Sequence, residues 1–519
     1  MALELSGFLA ARGHGFSRFV SLGNQADLGV ADVIRSCTRH EGTDVIAVYC
    51  EDFGDGRAFV AAAAEAAEAG KPVLLLTVGG SEASIRGAQS HTGALTSDSA
   101  VIAAACRAAG VHRVRSPREL AAAAAALLSF GPTGVRRVGV VADGGGHAGV
   151  GSDVVEAAGL SVPQFDASVS EALRGLLPPS AAVTNPVDLA GAGEQDIASF
   201  AKVLEITLSN QHLDAVLITG YFGGYGGYGD ALAAREIETA HEMARIAKAH
   251  GKPVVVHTIH HGSEAARVLA ESGLPVFAAV EDAARTLALF GDGKALSPVP
   301  QLAESAEHPA QSDSYWEARE LFRAAGLSFP GAALIESADE AAGAAGRIGY
   351  PVVLKAMGLL HKSDSGGVAL GLADEEQLRA AVLDMGQRLQ PPGFCVEAMA
   401  DLRHGVELIV GVQSDPRFGP VAMVGLGGIF TEVLKDVAFA LAPVDQSTAR
   451  EMLESLRAAA LLRGVRGRPP VDLDAAAAAI AAVTSVAAHH PEITELEVNP
   501  LLATPSGALG LDARIVLTP

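Results

Sequence analysis

Aromatic and basic side chains are what this 519-residue sequence has least of. Aromatics make up 5% and include a single Trp, so a platform that stacks nucleic-acid bases is not expected. Lys and Arg number 38 against 60 Asp and Glu, a formal net charge of −22. That balance excludes a nucleic-acid coat or an anionic-lipid surface as main partner, while leaving room for a local basic pocket for phosphates. Four cysteines, Cys37, Cys50, Cys106 and Cys395, are too few for a disulfide scaffold and too scattered for a zinc site, in keeping with a reducing cytoplasm. The N-terminus lacks a basic stretch with a cleavage site, and Glu4 interrupts its apolar run. The longest low-charge tract, Ala475–Ala488, is too short for a bilayer, and His489-His490-Pro491 reads as a helix end. The expectation is a cytoplasmic protein with no membrane segment.

Apolar residues are abundant, 49% against 19% charged, which excludes disorder and supplies several cores. Length alone suggests three or four domains. Through the first 290 residues, short β-branched runs alternate with Ala-rich stretches of helical character. Phe19–Leu22, Val45–Tyr49, Val73–Thr77, Val138–Ala142, Ala215–Thr219 and Val254–His257 read as strands. That alternation is the signature of parallel strands with helical crossovers. A boundary falls at Phe130-Gly131-Pro132-Thr133-Gly134, dividing two α/β units, and Gly291–Ser312 reads as a linker. Beyond it the texture is α+β. A helix Ser314–Ala325 and a strand Val352–Lys355 come first. Gly393–Met399 and Val406–Val412 then read as paired strands, followed by Val421–Leu426.

Two constellations carry chemistry. In the first, Ser90-His91-Thr92-Gly93 opens a helical segment, where the dipole and free N–H groups favour a phosphate carried on His91. Glu51 ends a strand, placed to hold an imidazole tautomer. A capping or surface histidine and a solvated glutamate fit the same spacing. Asp143-Gly144-Gly145-Gly146 is a strand-to-helix turn, and Tyr221-Phe222-Gly223-Gly224 either precedes a helix whose N–H groups aim at a phosphate or is a plain loop. In the second constellation Lys355 ends an apolar strand and is a point-charge partner for nucleotide phosphates. His361-Lys362-Ser363-Asp364-Ser365-Gly366-Gly367 is a polar loop suited to covering a ligand. Glu397 and Glu407 sit on the two strands read as a pair. Asn499 and Asp512 are hard oxygen ligands that suit Mg²⁺ beside phosphates. Each residue alone also fits a solvated surface position.

The motifs Phe16-Ser17-Arg18-Phe19-Val20-Ser21-Leu22-Gly23-Asn24, Tyr49-Cys50-Glu51-Asp52-Phe53-Gly54-Asp55-Gly56-Arg57 and Ser90-His91-Thr92-Gly93 resemble the ADP-forming acyl-CoA synthetases, relatives of succinyl-CoA synthetase. So do Thr184-Asn185-Pro186-Val187-Asp188-Leu189 and Gly425-Leu426-Gly427-Gly428-Ile429-Phe430-Thr431-Glu432-Val433, in the family's order. The resemblance implies an α/β fold of two flavodoxin-like (succinyl-CoA synthetase-like) domains followed by an ATP-grasp domain. The domains expected are 1–130, with the phosphohistidine, then 131–292, a linker 293–312, and the ATP-grasp domain 313–519. It implies that His91 is phosphorylated and steadied by Glu51, and that Lys355, Glu397 and Glu407 face the nucleotide. It implies that Gly223 and Gly224 face the phosphohistidine and that Asn499 and Asp512 hold magnesium. His361 matches a histidine that ferries phosphate, and Glu432 a glutamate that meets the phosphohistidine from the ATP side.

The expected reaction is ATP + carboxylate + CoA ⇌ ADP + phosphate + acyl-CoA, with ATP/ADP, Mg²⁺ and coenzyme A. The expected partners are a small carboxylic acid and CoA, not nucleic acid or membrane, with a homo-oligomer or a separate CoA-binding subunit. Family members usually begin with a CoA-binding domain not found here, and their Lys and Arg after the third strand are replaced by Thr77 and Gly80. Thioester formation by this chain alone is therefore expected to be poor. Two rival readings are an ATP-grasp ligase that joins a carboxylate to an amine, and a non-catalytic subunit that responds to nucleotide or acyl-CoA.

Overall fold

Five-residue apolar runs that are buried on both faces suit the interior strands of a covered parallel sheet, and two sheets built largely that way form here. The computed structural model describes residues 2–78, 83, 97–131, 133–291, 299–359, 365–427 and 436–518. They fall into two units, Met1–Thr96 with Cys106–Val299, and Ser97–Ala105 with Pro300–Pro519.

In the first unit, strands Ile46–Cys50, Val73–Thr77 and His112–Val114 pair in parallel in that order. Crossover helices start where side-chain caps satisfy free N–H groups. Asp55 accepts from Ala58 N to open helix Gly56–Glu68, and Ser116 accepts from Glu119 N to open Pro117–Phe130. The second sheet has the order Ala182–Val183, Val187–Asp188, Val138–Ala142, Ala215–Gly220, Val254–Thr258, Val276–Phe277. It is parallel apart from its first strand. Leu74, Leu120, Val138, Val255 and Leu287 belong to one core shared by both sheets. Phe200, Val216, Met243 and Val256 fill the other face of the second sheet.

Phe19–Leu22, expected as a strand, is irregular, with Phe19 61% and Val20 50% exposed. A β-branched and aromatic composition becomes a strand only against a partner edge. Among the described residues no strand pairs with this segment or with the outer edge of Ile46–Cys50.

In the second unit two antiparallel sheets form. The four-stranded sheet has the order Ala332–Ile335, Phe394–Ala398, Val352–Ala356, Val368–Leu372. The six-stranded sheet runs Val437–Leu441, Gly419–Leu426, Val406–Asp415, Ile493–Thr504, Gly507–Gly510, and Ala513–Leu517 also pairs with Ile493–Thr504. The strands carrying Glu397 and Glu407 are therefore not a pair: they lie in different sheets, because each finds its apolar match elsewhere. Helix Tyr315–Ala324, capped by Ser314, and helix Leu473–His489 complete this core, in which Phe322, Val410, Val424, Ile480 and Leu496 pack together. Of the expected linker, residues 299–312 form neither helix nor strand, yet they are tied down: Ala306 N donates to His489 O at 2.8 Å and Ala310 N to Glu492 Oε1 at 2.7 Å. Among the described residues no helix is long and apolar enough to cross a membrane.

Candidate active site

In the second unit a charged cluster lies where the two sheets meet. Lys355 stands directly opposite Cys395 in the antiparallel register, so Glu397, two residues along, shares their face of the four-stranded sheet. Lys355 Nζ meets Glu397 Oε2 at 2.8 Å, and both residues are buried, 6% and 3% exposed. The ammonium also donates to Leu511 O, at the end of the other sheet, and to the Tyr315 hydroxyl at 3.3 Å. Tyr315 and Arg319, one turn apart on a single helix, close the cluster. Tyr315 donates to Glu397 Oε1, and Arg319 Nη1 reaches the same oxygen at 3.4 Å. Arg319 is held over the rings of Trp316 and Phe329 at 5.5 and 5.1 Å. Phe329 can lie there because position 510 is Gly: a Cβ would come within 2.7 Å of its ring. Burial and then Glu397 push the Cys395 thiol up to about 12, so it stays protonated.

Beside this cluster the chain brings Asn499 and Asp512 together. Asn499 N donates to Asp512 O at 3.2 Å, and the Asn499 amide donates to Glu497 Oε1 at 2.8 Å. Asn499 is exposed and Asp512 half-buried. Among the described residues no three His, Cys, Asp or Glu side chains gather into a metal cage. A pair of oxygen donors suits Mg²⁺, which binds through one or two protein ligands plus phosphates and water. Glu407 is half-buried in the six-stranded sheet opposite Leu502, and its carbonyl accepts from Gly427 N at 2.7 Å.

In the first unit, Glu51 follows strand Ile46–Cys50 and accepts from the Tyr49 hydroxyl at 2.7 Å. Burial and this bond push Tyr49 up to about 12. The loop after Ala215–Gly220 is braced by the helix that follows it. Gly223 N donates to Glu236 Oε1 at 2.5 Å, Tyr225 N to the same oxygen at 3.2 Å, and Gly226 N to Oε2 at 3.0 Å. Gly224 N donates to Tyr221 O at 3.0 Å. The N–H groups at Gly223 and Gly224 are thus already engaged, and the α-helix starts only at Asp230, after a short 3₁₀ turn. The carboxyl edge of this sheet also holds Asp143, which accepts from Tyr221 N at 2.7 Å and faces His147 at 3.6 Å. Gly220 has φ +131, and a Cβ there would sit 2.0 Å from Asp143 Oδ1, so only glycine fits. Burial raises the Asp143 pKa, and burial then His147 lower that of His257, whose Nδ1 pairs with Thr219 at 2.8 Å. Helix Gly145–Ala157 begins here with no side-chain cap, and its Gly145 and Gly146 are exposed.

His91, His361 and Glu432 lie outside the described residues. Lys355 and Glu397 come together, as do Asn499 and Asp512. Tyr315, Arg319, Glu236 and the Leu511 carbonyl were not anticipated. The i, i+4 spacing of Tyr315 and Arg319 was the only sequence signal for any of them.

Three family models match the chain. Residues 1–127 match a succinyl-CoA ligase like flavodoxin domain, 138–292 a ligase-CoA domain, and 306–517 an ATP-grasp domain. An ADP-forming acetate–CoA ligase of Archaeoglobus fulgidus is 32% identical over 533 residues, covering 97% of this chain and 74% of that protein. A trans-feruloyl-CoA synthase from an unknown prokaryotic organism is 31% identical, covering 100% of this chain and 75% of its own length. A solved structure of the dinucleotide forming acetyl-coenzyme A synthetase 1 of Ca. Korarchaeum cryptofilum, in complex with coenzyme A and Ca-AMPCP, is 36% identical. It covers 40% of this chain and 94% of that chain, with a TM-score of 0.38.

Proposed function

The chain belongs to the family of ADP-forming acyl-CoA ligases, and from that premise we propose that it catalyses ATP + carboxylate + CoA ⇌ ADP + phosphate + acyl-CoA. The observation that carries this reading is the buried Lys355–Glu397 pair, flanked by Arg319 and Tyr315 and joined through Leu511 to the Asp512 segment. Two buried cations sharing one carboxylate suit an anion, and the polyphosphate of ATP is that anion. Asn499 and Asp512 would hold the magnesium, which neutralises phosphate charge when bound.

In the forward direction the His91 imidazole attacks the γ-phosphorus, and the bond to the ADP oxygen breaks. A carboxylate oxygen then takes the phosphoryl group from His91. The CoA thiolate attacks the acyl carbon of that mixed anhydride and expels phosphate. Glu51, held by Tyr49, orients the imidazole. The start of helix Gly145–Ala157, which has no side-chain cap, would offer its N–H groups to the phosphate charge. Gly223 and Gly224 act through the loop shape that Glu236 fixes, Glu407 faces the nucleotide, His361 carries phosphate between sites, and Glu432 receives the phosphohistidine on the nucleotide side. The substrate class is a short-chain or aryl carboxylic acid, as the names of the two relatives indicate. The proposed setting is a reducing cytoplasm, a reading that the four free cysteines support.

The test is product analysis with Mg-ATP, CoA and a panel of short-chain and aryl acids. The reading expects ADP and phosphate in step with acyl-CoA, and a Glu51→Gln loss of about 10²–10⁴ in rate. AMP and pyrophosphate as products, or ADP formation that needs an amine and not CoA, would overturn it.

A further inference from the structure

Lys355 and Arg319 are two deeply buried cations served by one deeply buried carboxylate. Glu397 divides its oxygens between them. Oε2 takes Lys355 at 2.8 Å, while Oε1 receives Arg319 at 3.4 Å, the Cys395 thiol at 3.6 Å and the Tyr315 hydroxyl. A tyrosine hydroxyl has one proton to give. Tyr315 gives it to Glu397, so towards Lys355, 3.3 Å away, the same oxygen is an acceptor. The Tyr315 ring also lies 4.7 Å from the ammonium, near enough for its π-face to attract the charge. Burial and then Glu397 raise the Tyr315 pKa, with Asp512 adding to the effect, so the hydroxyl keeps its proton and Asp512 is near enough to be felt.

We propose that Tyr315 is a positioning residue for the nucleotide polyphosphate. It occupies Glu397 Oε1 and cradles Lys355, so the ammonium cannot fold into a two-oxygen pairing with Glu397. The Lys355 charge stays directed to the seam where the chain passes from Leu511 to Asp512. This rests on the reading of Lys355 as the phosphate-binding lysine. In that arrangement an arriving phosphate oxygen replaces the Leu511 carbonyl as the third acceptor of Lys355, while Tyr315 and Glu397 keep their places. Nothing covalent changes at Tyr315.

The test is Mg-ATP binding to the full chain by calorimetry, in a double-mutant cycle. Tyr315→Phe keeps the ring over Lys355 and removes only the hydroxyl. It is expected to weaken ATP about tenfold, the scale of one hydrogen bond to a charged group. In a Lys355→Ala background the same change is expected to alter affinity less than about twofold, because nothing remains to be positioned. Arg319→Gln, which frees Glu397 Oε1 from the other side, is the second variant, with a smaller loss that also vanishes in that background. Tyr315→Phe binding ATP like the wild type while Lys355→Ala binds it poorly would overturn the role of Tyr315 and spare the nucleotide site. Equal losses in both backgrounds would make Tyr315 merely structural. Unchanged affinity in Lys355→Ala would overturn the nucleotide site itself, and the role of Tyr315 with it.

Discussion

Glu236 and Glu397 are equally deep, 2% and 3% exposed, and they are answered in opposite ways. Glu236 is met by three backbone N–H groups of one loop, all neutral and all fixed in place. Glu397 is met by the ends of four side chains, two of them cationic. A carboxylate satisfied by backbone becomes part of the fold, since its partners cannot leave without unfolding the loop. A carboxylate satisfied by long cationic side chains leaves charges that can exchange partners when an anion arrives. The contrast separates a brace from the proposed binding apparatus, and neither residue's sequence neighbours reveal which it is.

Removing each carboxylate is the way to break that contrast. Glu397→Ala strands two buried cations and is expected to cost about 3–5 kcal/mol, with ATP affinity falling in parallel. Chemical denaturation together with calorimetry measures both, and a cost near zero would mean that the cluster is open to water. Glu236→Gln keeps the volume but turns one acceptor into a donor against the loop N–H groups. A loss of about 1–3 kcal/mol is expected, with Mg-ATP affinity unchanged. A Glu236 variant that lost ATP binding as Lys355→Ala does would erase the distinction.

A buried base sharpens it with a smaller effect. His257 has its folded-state pKa lowered by burial, and next by His147. The unfolded chain therefore takes up a proton before the folded one does. Stability from this group is full above the ordinary histidine range and is lost as pH falls through the lowered value. Melting temperatures are expected to drop below about pH 6.5, the ordinary histidine pKa, and the drop should be shallower in His257→Asn. An identical pH profile in the variant would remove His257 from the account.

The sequence reveals the elements better than their partners. The strand that ends in Lys355 and the helix that begins after Ser314 were legible, because apolar runs and N-cap residues are local signals. The partnership of Lys355 with Glu397 depends on a register of Lys355 against Cys395 that only packing sets. Glu397 and Glu407 read as neighbours on a hairpin because a short polar stretch separates them, yet the chain changes sheets there. The loop at Gly223 and Gly224 reads equally as an anion-facing helix start or as a plain loop, because nothing local shows that Glu236, on the following helix, reaches back into it. Phe19–Leu22 has the composition of a strand without, among the described residues, an edge to join.

The proposal that nucleotide bound at Lys355 phosphorylates His91 is tested by labelling with γ-labelled Mg-ATP. An acid-labile, base-stable label is expected on the wild-type chain, strongly reduced in Lys355→Ala and absent in His91→Ala. A chain that takes no label, or one that labels fully in both His91→Ala and the His91→Ala/His361→Ala double variant, would contradict it.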